Sequence, residues 1–354
     1  MTQDVYERLA AFLDGLPSGF PRTESGVEIR ILKRLFTQVE AALASHLSMW
    51  SEPVETIAQR VNKPVHELAD ILYQMSRKGL IIRSDRSEGP MYMAAQYVIG
   101  IWEYHVNSLD VDLIKDMNEY IPFLFDAMNR IKTQQLRTIP ILASLESQGA
   151  VMPYEDARKL LERQRKILLA PCICRREHAM IGEGCGKLLE ACLVFSSAAF
   201  LYEKNGLGRF ISKDEALDVL HQAEEQGLVL QPSNAQRIMN ICLCCGDCCQ
   251  VLKAIKRHPR PAEFVHTNYY AHIRADDCTA CEICLERCQM DAIQMKDDVA
   301  VIDPDRCIGC GLCITTCCSQ AIDLVRKNEK DCYVPPADMV ETYTLIAQER
   351  GLVK

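Results

Sequence analysis

The chain reads as mainly α-helical, with a small α+β module at its C-terminal end. Three observations predict this. Apolar residues recur at helical spacing through the first hundred residues, which is the mark of amphipathic helices. All nineteen cysteines lie from Cys172 onward, so the chain from there is organised differently. Near the C-terminus a cysteine-rich segment repeats itself, Ile273 matching Ile302, Asp276 matching Asp305 and Ala292-Ile293 matching Ala321-Ile322.

At 354 residues, with 48% apolar residues, 17 glycines and 15 prolines, the chain can bury two or three cores. A net charge of −8 would repel a phosphate backbone or an anionic membrane surface, since Lys and Arg carry most of that binding. The segment Met1 to Gly19 carries Asp4, Glu7 and Asp14, unlike a secretory leader. The most apolar stretch, Leu188 to Leu201, is short and contains Glu190, so no membrane span is expected. These features predict a soluble, cytoplasmic protein. Disulfide scaffolds are small secreted domains without a core, so metal binding is the better use for so many cysteines.

In chain order, Ile31, Leu32, Leu35, Val39, Leu43 and Leu47 predict a helix over about 28 to 49. A second helix is expected over Val54 to Val61. Pro64 suits the first turn of a third, whose stripe of Val65, Leu68, Ile71, Leu72 and Met75 ends at Gly79. Leu80-Ile81-Ile82, a polar turn from Ser84 to Pro90, and Met91-Tyr92-Met93 then predict two strands. Residues 106 to 170 are expected to be helical, including Tyr154 to Leu169, which stops before Pro171. A helix is predicted over Gly186 to Lys204. Another opens on the capping box Ser212-Lys-Asp-Glu and stops at Gly227. The basic, Pro-containing stretch Lys253 to Pro261 reads as a link. Ile293 to Met295 and Val299 to Ile302 flank Lys296-Asp297-Asp298 as a β-hairpin.

Three helices followed by a two-stranded wing resemble the winged-helix fold over about residues 30 to 100. The expected organisation is a winged-helix-like interaction domain at 1–105, a helical connector at 106–170, a cysteine-rich helical middle domain at 171–270, a separate module with two cysteine runs at 271–326 and a tail at 327–354.

The expectation for this module rests on Cys278-x2-Cys281-x2-Cys284-x3-Cys288 and Cys307-x2-Cys310-x2-Cys313-x3-Cys317. This spacing resembles bacterial two-cluster ferredoxins, where a tight loop wraps three corners of one iron–sulfur cube and the fourth thiolate reaches the other. The resemblance implies two [4Fe–4S] clusters, one held by Cys278, Cys281, Cys284 and Cys317, the other by Cys307, Cys310, Cys313 and Cys288. Zinc is the alternative, but zinc sites usually pair two CxxC motifs rather than two four-cysteine runs. The family usually has Pro after the fourth cysteine, where this chain has Gln289 and Cys318. Gly309 and Gly311 are expected to let backbone N–H groups face the cluster sulfurs.

Nine middle cysteines remain as candidate ligands of one or two further clusters: Cys172, Cys174, Cys185, Cys192, Cys242, Cys244, Cys245, Cys248 and Cys249. If Gly186 onward is helical, Cys185 and Cys192 lie about 10 Å apart, and they share a site only if Cys185 folds back from the Gly182-Glu183-Gly184 loop. The alternative is that some are small core residues, as Cys318 and Cys332 are expected to be. The doublets Cys244-Cys245-Gly246 and Cys248-Cys249 resemble heterodisulfide-reductase-like proteins with non-cubane clusters, although the spacing departs from that family. Arg175 and Arg176 read as solvated helix-end residues and His178 as polar surface; the alternatives are cluster stabilisation or binding of an acidic partner by the arginines, and metal ligation by His178.

The leading function is an electron-transfer protein or subunit, since neither a GxGxxG fingerprint nor a Walker A sequence is present. A reductase with an unusual middle cluster is the alternative. A redox-sensing DNA-binding regulator is the third, opposed by charge: residues 1 to 110 carry 11 Lys and Arg against 14 Asp and Glu, and helix 64 to 78 balances Glu67 and Asp70 with Arg77 and Lys78. That region is expected to bind a protein or a second copy of the chain. The whole chain resembles iron–sulfur proteins of anaerobes that join a helical N-terminal region to a dicluster ferredoxin. That resemblance implies a redox partner protein, an anaerobic cytoplasm and an oxygen-labile holoprotein.

Overall fold

The computed structural model describes residues 4–145 and 151–353. The chain forms two compact units, one of Met1–Ile131, Phe200–Gly208 and Tyr343–Lys354, the other of Lys132–Ala199 and Arg209–Thr342. The architecture is mixed, mostly helical with small sheets.

The first unit contains α1 (Val5–Asp14), α2 (Val27–Leu35), α3 (Gln38–Ala44), β1 (Glu52–Pro53), α4 (Val54–Val61), α5 (Val65–Lys78), β2 (Ile81–Arg86), β3 (Gly89–Ala94), α6 (Trp102–Tyr104) and α7 (Val111–Asn129). The single helix expected over 28 to 49 is two. Phe36 turns extended, and Thr37 opens α3 with a capping box in which its hydroxyl accepts from the Glu40 N–H and the Glu40 carboxylate accepts from the Thr37 N–H. The register restarts there, which leaves Val39 57% exposed although it belonged to the apolar stripe. Helices α4 and α5 follow expectation. Gly79 ends α5 at φ +83°, where a side chain would also run into Tyr104.

Strands β2 and β3 pair antiparallel from Ile81↔Ala94 to Arg86↔Gly89, so only Ser87 and Glu88 form the turn; β1 joins on the far side of β3. Phe20 is fully buried in the core of this unit, its ring 4.6 Å from Tyr97 and 5.0 Å from Tyr120. Arg30 and Arg34 on α2 reach Asp116 on α7 at 3.2 and 2.7 Å, fixing how those two helices pack.

The second unit continues with α8 (Leu142–Leu145), α9 (Ala157–Glu162), β4 (Ile167–Pro171), α10 (Ile173–Met180), β5 (Glu190–Phe195), α11 (Ser196–Lys204), β6 (Arg209–Ile211), α12 (Lys213–Glu225), β7 (Val229–Pro232), β8 (Asn240–Cys244), α13 (Gln250–Lys256), β9 (Tyr269–Ile273), α14 (Ile283–Arg287), β10 (Ile293–Lys296), β11 (Val299–Ile302), β12 (Ile322–Arg326) and α15 (Met339–Glu349), with α11 and α15 ending in segments of the first unit. The cysteine-rich middle is therefore not purely helical. It holds a five-stranded antiparallel sheet in the order β6-β4-β5-β8-β7.

Two helical expectations fail for one physical reason. Ile167 to Ala170 and Ala191 to Phe195 are short apolar runs, and such a run fits a buried strand as well as a buried helix; flanked by neighbours on both sides, they become the central strands β4 and β5. The helical expectation across 146–150 falls outside the described residues. Lys253 to Lys256, read as a link, form the last turn of α13. The helix after Ser212 is present, capped by the Ser212 hydroxyl on the Glu215 N–H at 3.0 Å.

On one face of this sheet, Ile167, Leu169, Leu193, Phe195, Ile241 and Leu243 pack with Leu160 and Leu161 of α9 and Ala216, Val219, Leu220 and Ala223 of α12. Among the described residues no helix is long and apolar enough to cross a membrane.

Truncating Phe20 to Ala is expected to cost about 3–5 kcal/mol, whereas Val39→Ala should change stability by less than about 0.5 kcal/mol. Denaturant unfolding followed by circular dichroism checks the pair; equal effects would mean that the helix break at Thr37 is misplaced.

Candidate metal centre

The repeated segment folds as two interlocked halves. Strand β10 pairs with β11 from Ile293↔Ile302 to Lys296↔Val299, and β9 pairs with β12 from Ile273↔Ile322 to Tyr269↔Arg326. The hairpin turn is Asp297-Asp298, both at positive φ, as a two-residue type I′ turn demands. Matching positions share unusual backbone: Ala280 and Gly309 lie at φ +55° and +65°, Glu282 and Gly311 at +62° and +77°, Asp291 and Gln320 at +51° and +55°. A loop with a cysteine at every third residue thus turns left-handed between the cysteines, whether or not glycine is there to make it easy.

Two cavities lie beneath these strands. One is lined by Cys278, Cys281, Cys284 and Cys317 with Ile273, Ala300, Ala321 and Ile322. The other is lined by Cys307, Cys310, Cys313 and Cys288 with Ala271, Ala292, Ile293, Ile302 and Met290. Each takes three cysteines from one half and the fourth from the other.

Backbone N–H groups point at the sulfurs in the same symmetric way. Ala292 donates to Cys288 and Ala321 to Cys317, both at 3.2 Å; Ala271 donates to Cys307 and Ala300 to Cys278, both at 3.5 Å. Such bonds favour a sulfur carrying negative charge. Burial first, and then the neighbouring Cys288 and Cys307, push the Cys310 thiol up to about 12, so a thiolate there is costly without a compensating positive charge. Four-cysteine cavities with apolar walls and inward N–H donors fit an iron–sulfur cube.

The middle cysteines are positioned by the five-stranded sheet. Cys242 and Cys244 alternate with Ile241 and Leu243 along β8 and so share the face opposite the helices. Cys192 on β5 sits directly across from Cys242. Cys172 caps α10, Cys174 lies in its first turn, and Cys249 caps α13. Sulfur contacts link the six into one line: Cys172 to Cys174, Cys174 to Cys249, Cys249 to Cys244, Cys244 to Cys242, and Cys242 to Cys192.

The other three form a separate group, with the sulfurs of Cys185, Cys245 and Cys248 all within 4.8 Å of one another. Cys185 lies on the loop between α10 and β5, apart from Cys192, because no helix begins at Gly186. The six-sulfur line had a sequence signal: Cys-x-Cys is the spacing of one face of a strand.

Several side chains around these groups differ from expectation. Arg175 is not a solvated helix-end residue. It is 4% exposed, and its guanidinium donates to the carbonyls of Leu188 at 2.8 Å and Leu243 at 2.7 Å while also reaching the Cys245 sulfur. His178 is buried; its Nδ1 lies 2.8 Å from the Cys174 carbonyl and its Nε2 2.9 Å from Lys253 Nζ, so it braces α10 against α13. Cys318 is exposed rather than core, with its sulfur 3.9 Å from that of Cys281. Cys332 is half-buried and contacts the Lys327 carbonyl.

Gln289, standing where proline is usual, tethers the two regions. Its side-chain oxygen accepts the Gly246 N–H at 2.7 Å, joining the residue after Cys288 to the residue after Cys245. A side chain on Gly246 would run into the Gln289 backbone carbonyl. Arg306 adds bonds to the carbonyls of Met290, Lys256 and His258 at 3.1, 3.1 and 3.4 Å, holding the end of α13 to the repeated module.

The family described as 4Fe-4S binding domain matches residues 299–322, which include Cys307, Cys310, Cys313 and Cys317. No curated protein and no solved structure matches the chain. The molecule is thus an iron–sulfur protein with a ferredoxin-like module at its C-terminal end. That module binds at least one [4Fe–4S] cluster.

The repeat offers a paired test of the loop backbone. Gly309→Ala should destabilise by more than the ~1–2 kcal/mol of a left-handed alanine, because the new side chain also meets the Tyr269 carbonyl. Ala280→Gly, at the matching position, should be near neutral, since relief of that strain offsets ~0.4–1 kcal/mol of added unfolded-state freedom. Thermal unfolding of the anaerobic holoprotein reads both; a destabilised Ala280→Gly would sink the argument.

Proposed function

We propose that this chain is an electron-transfer protein or subunit. It relays single electrons through two [4Fe–4S] clusters of the bacterial two-cluster ferredoxin type, and through one or two further iron–sulfur clusters held by the middle cysteines, to or from a partner oxidoreductase. The observation that carries the reading is the crossed lining of the two cavities, which supports ligation by Cys278, Cys281, Cys284 and Cys317 on one side and by Cys307, Cys310, Cys313 and Cys288 on the other. When bound, the clusters supply one-electron chemistry.

The chain's own residues give the route an order. Cys281 is exposed, so its cavity is the one a redox partner meets. Cys284 and Cys313 share one small core between the two cavities. Cys288 leads through Gln289 to Gly246 and the middle cysteines. Buried Arg175 sets positive charge beside Cys172, Cys244 and Cys245, which suits a centre that gains negative charge on reduction.

For the N-terminal region the winged-helix reading is supported by the helix–strand–helix–helix–strand–strand order from α3 to β3, with β1 beside β3. Its α5 face balances acidic and basic residues, so we assign it to protein contact, with a partner or a second copy, rather than to nucleic acid.

Protein purified without oxygen should contain about twelve or more irons per chain with matching acid-labile sulfide, and give more than two cluster signals in the electron paramagnetic resonance of the reduced sample. About eight irons would confine the metal to the ferredoxin-like module and sink the longer relay. The full-length protein should also show no salt-sensitive retention on DNA; tight retention lost at high salt would overturn the protein-contact assignment.

A further inference from the structure

We infer that Cys185, Cys245 and Cys248 hold a single zinc ion, leaving for iron and sulfide the other six middle cysteines, whose sulfurs touch in successive pairs along a line and do not close as a group of three. This rests on the reading of the middle cysteines as metal ligands and divides them by geometry. Thiolates bound at ~2.3 Å to one tetrahedral ion lie about 3.8 Å apart, whereas thiolates on separate irons of a cube are kept further apart by the cube between them. The sulfurs of Cys185 and Cys245 are 3.8 Å apart, and all three sulfurs of the group fall within 4.8 Å.

The same chain shows the contrast internally. In the ferredoxin-like module the cysteines line the walls of two cavities, and no three of their sulfurs close together as these do. Among the described residues, Cys185, Cys245 and Cys248 are the one group of three whose ligand atoms close to this spacing.

The site is braced from several directions. Lys187 Nζ meets Asp247 at 3.1 Å, fastening the loop that carries Cys185 to the turn that carries Cys245 and Cys248. The Leu188 N–H donates to Gln226, and the Leu188 carbonyl accepts from Arg175. Gly246, inside the turn, is fixed by Gln289.

Charge is consistent as well. Binding converts three thiols to thiolates, releases their protons to solvent, and leaves the ion with its three ligands at a net charge of −1. The Arg175 guanidinium lies beside the Cys245 sulfur and neutralises it in a site where an unpaired charge would be costly.

Metal analysis of the full-length, anaerobically purified protein tests this. The wild type should carry about one zinc per chain, and Cys185→Ser and Cys248→Ser should each lose it with iron per chain unchanged. Cys192→Ser should lower iron and leave zinc in place. Zinc X-ray absorption of the wild type supplies a readout that needs no variant, with at least three sulfurs at ~2.3 Å expected. Absence of zinc, zinc bound by fewer than three sulfurs, or loss of iron in place of zinc from the Cys185 and Cys248 variants would overturn the inference. The iron count of the wild type separately decides whether the middle region holds any cluster, so the two ideas fail on different numbers.

Discussion

The antiparallel pairing of β5 between β4 and β8 is the constraint on which the cysteine-rich region depends. It places Ala170 beside Cys192 and Cys192 beside Cys242, residues that are far apart along the chain. Because side chains alternate across a strand, Leu193, Ile241 and Leu243 face the helical core while Cys192 and Cys242 face the other way. A slip of one residue in either pairing would send the cysteines into the hydrocarbon core and the leucines to the opposite face. The helices then add to this face: α10 brings Cys174 beside Cys172, and α13 brings Cys249 to Cys244.

The ferredoxin-like module and the sheet region share more than a chain connection. Gln289 and Gly246 meet through a backbone N–H, and Arg306 ties the end of α13 to Met290. Cysteines of both regions also border one apolar core: Cys244, Cys245, Cys248 and Cys249 lie within it, while Cys288, Cys307 and Cys310 pack against it. The departure from proline at position 289 therefore has a structural explanation. A proline ring could not accept the Gly246 N–H, and that hydrogen bond between the two cysteine regions would be lost.

How much of this was legible beforehand depended on whether local spacing alone decided the outcome. The module's eight cysteines and its hairpin could be read directly, because loop geometry sets the cysteine interval and Asp297-Asp298 can occupy a positive-φ turn. Helices α4, α5 and α12 were likewise legible from stripe, cap and terminating glycine. Strands β4 and β5 were not, since an apolar run carries no period until its neighbours are known. The break at Thr37 was marked by Thr37 and Glu40 but outweighed by the apolar repeat. The burial of Arg175 and the exposure of Cys318 had no local signal at all, for each depends on which distant segments cover it. The grouping of the nine middle cysteines was legible only in part: Cys242-x-Cys244 reports a strand face, but nothing in the order of residues joins Cys185 to Cys245.

The crossed lining of the two cavities also bears on synthesis. A ribosome delivers Cys278, Cys281 and Cys284 early, yet the cavity they border lacks its fourth cysteine until Cys317 has emerged, and Cys288 waits for Cys307, Cys310 and Cys313. Neither half can finish a compartment by itself. Completion of either compartment is thereby deferred until the repeat is complete, and a chain truncated between the halves would leave Cys278, Cys281, Cys284 and Cys288, four of the eight thiols, open to oxidation.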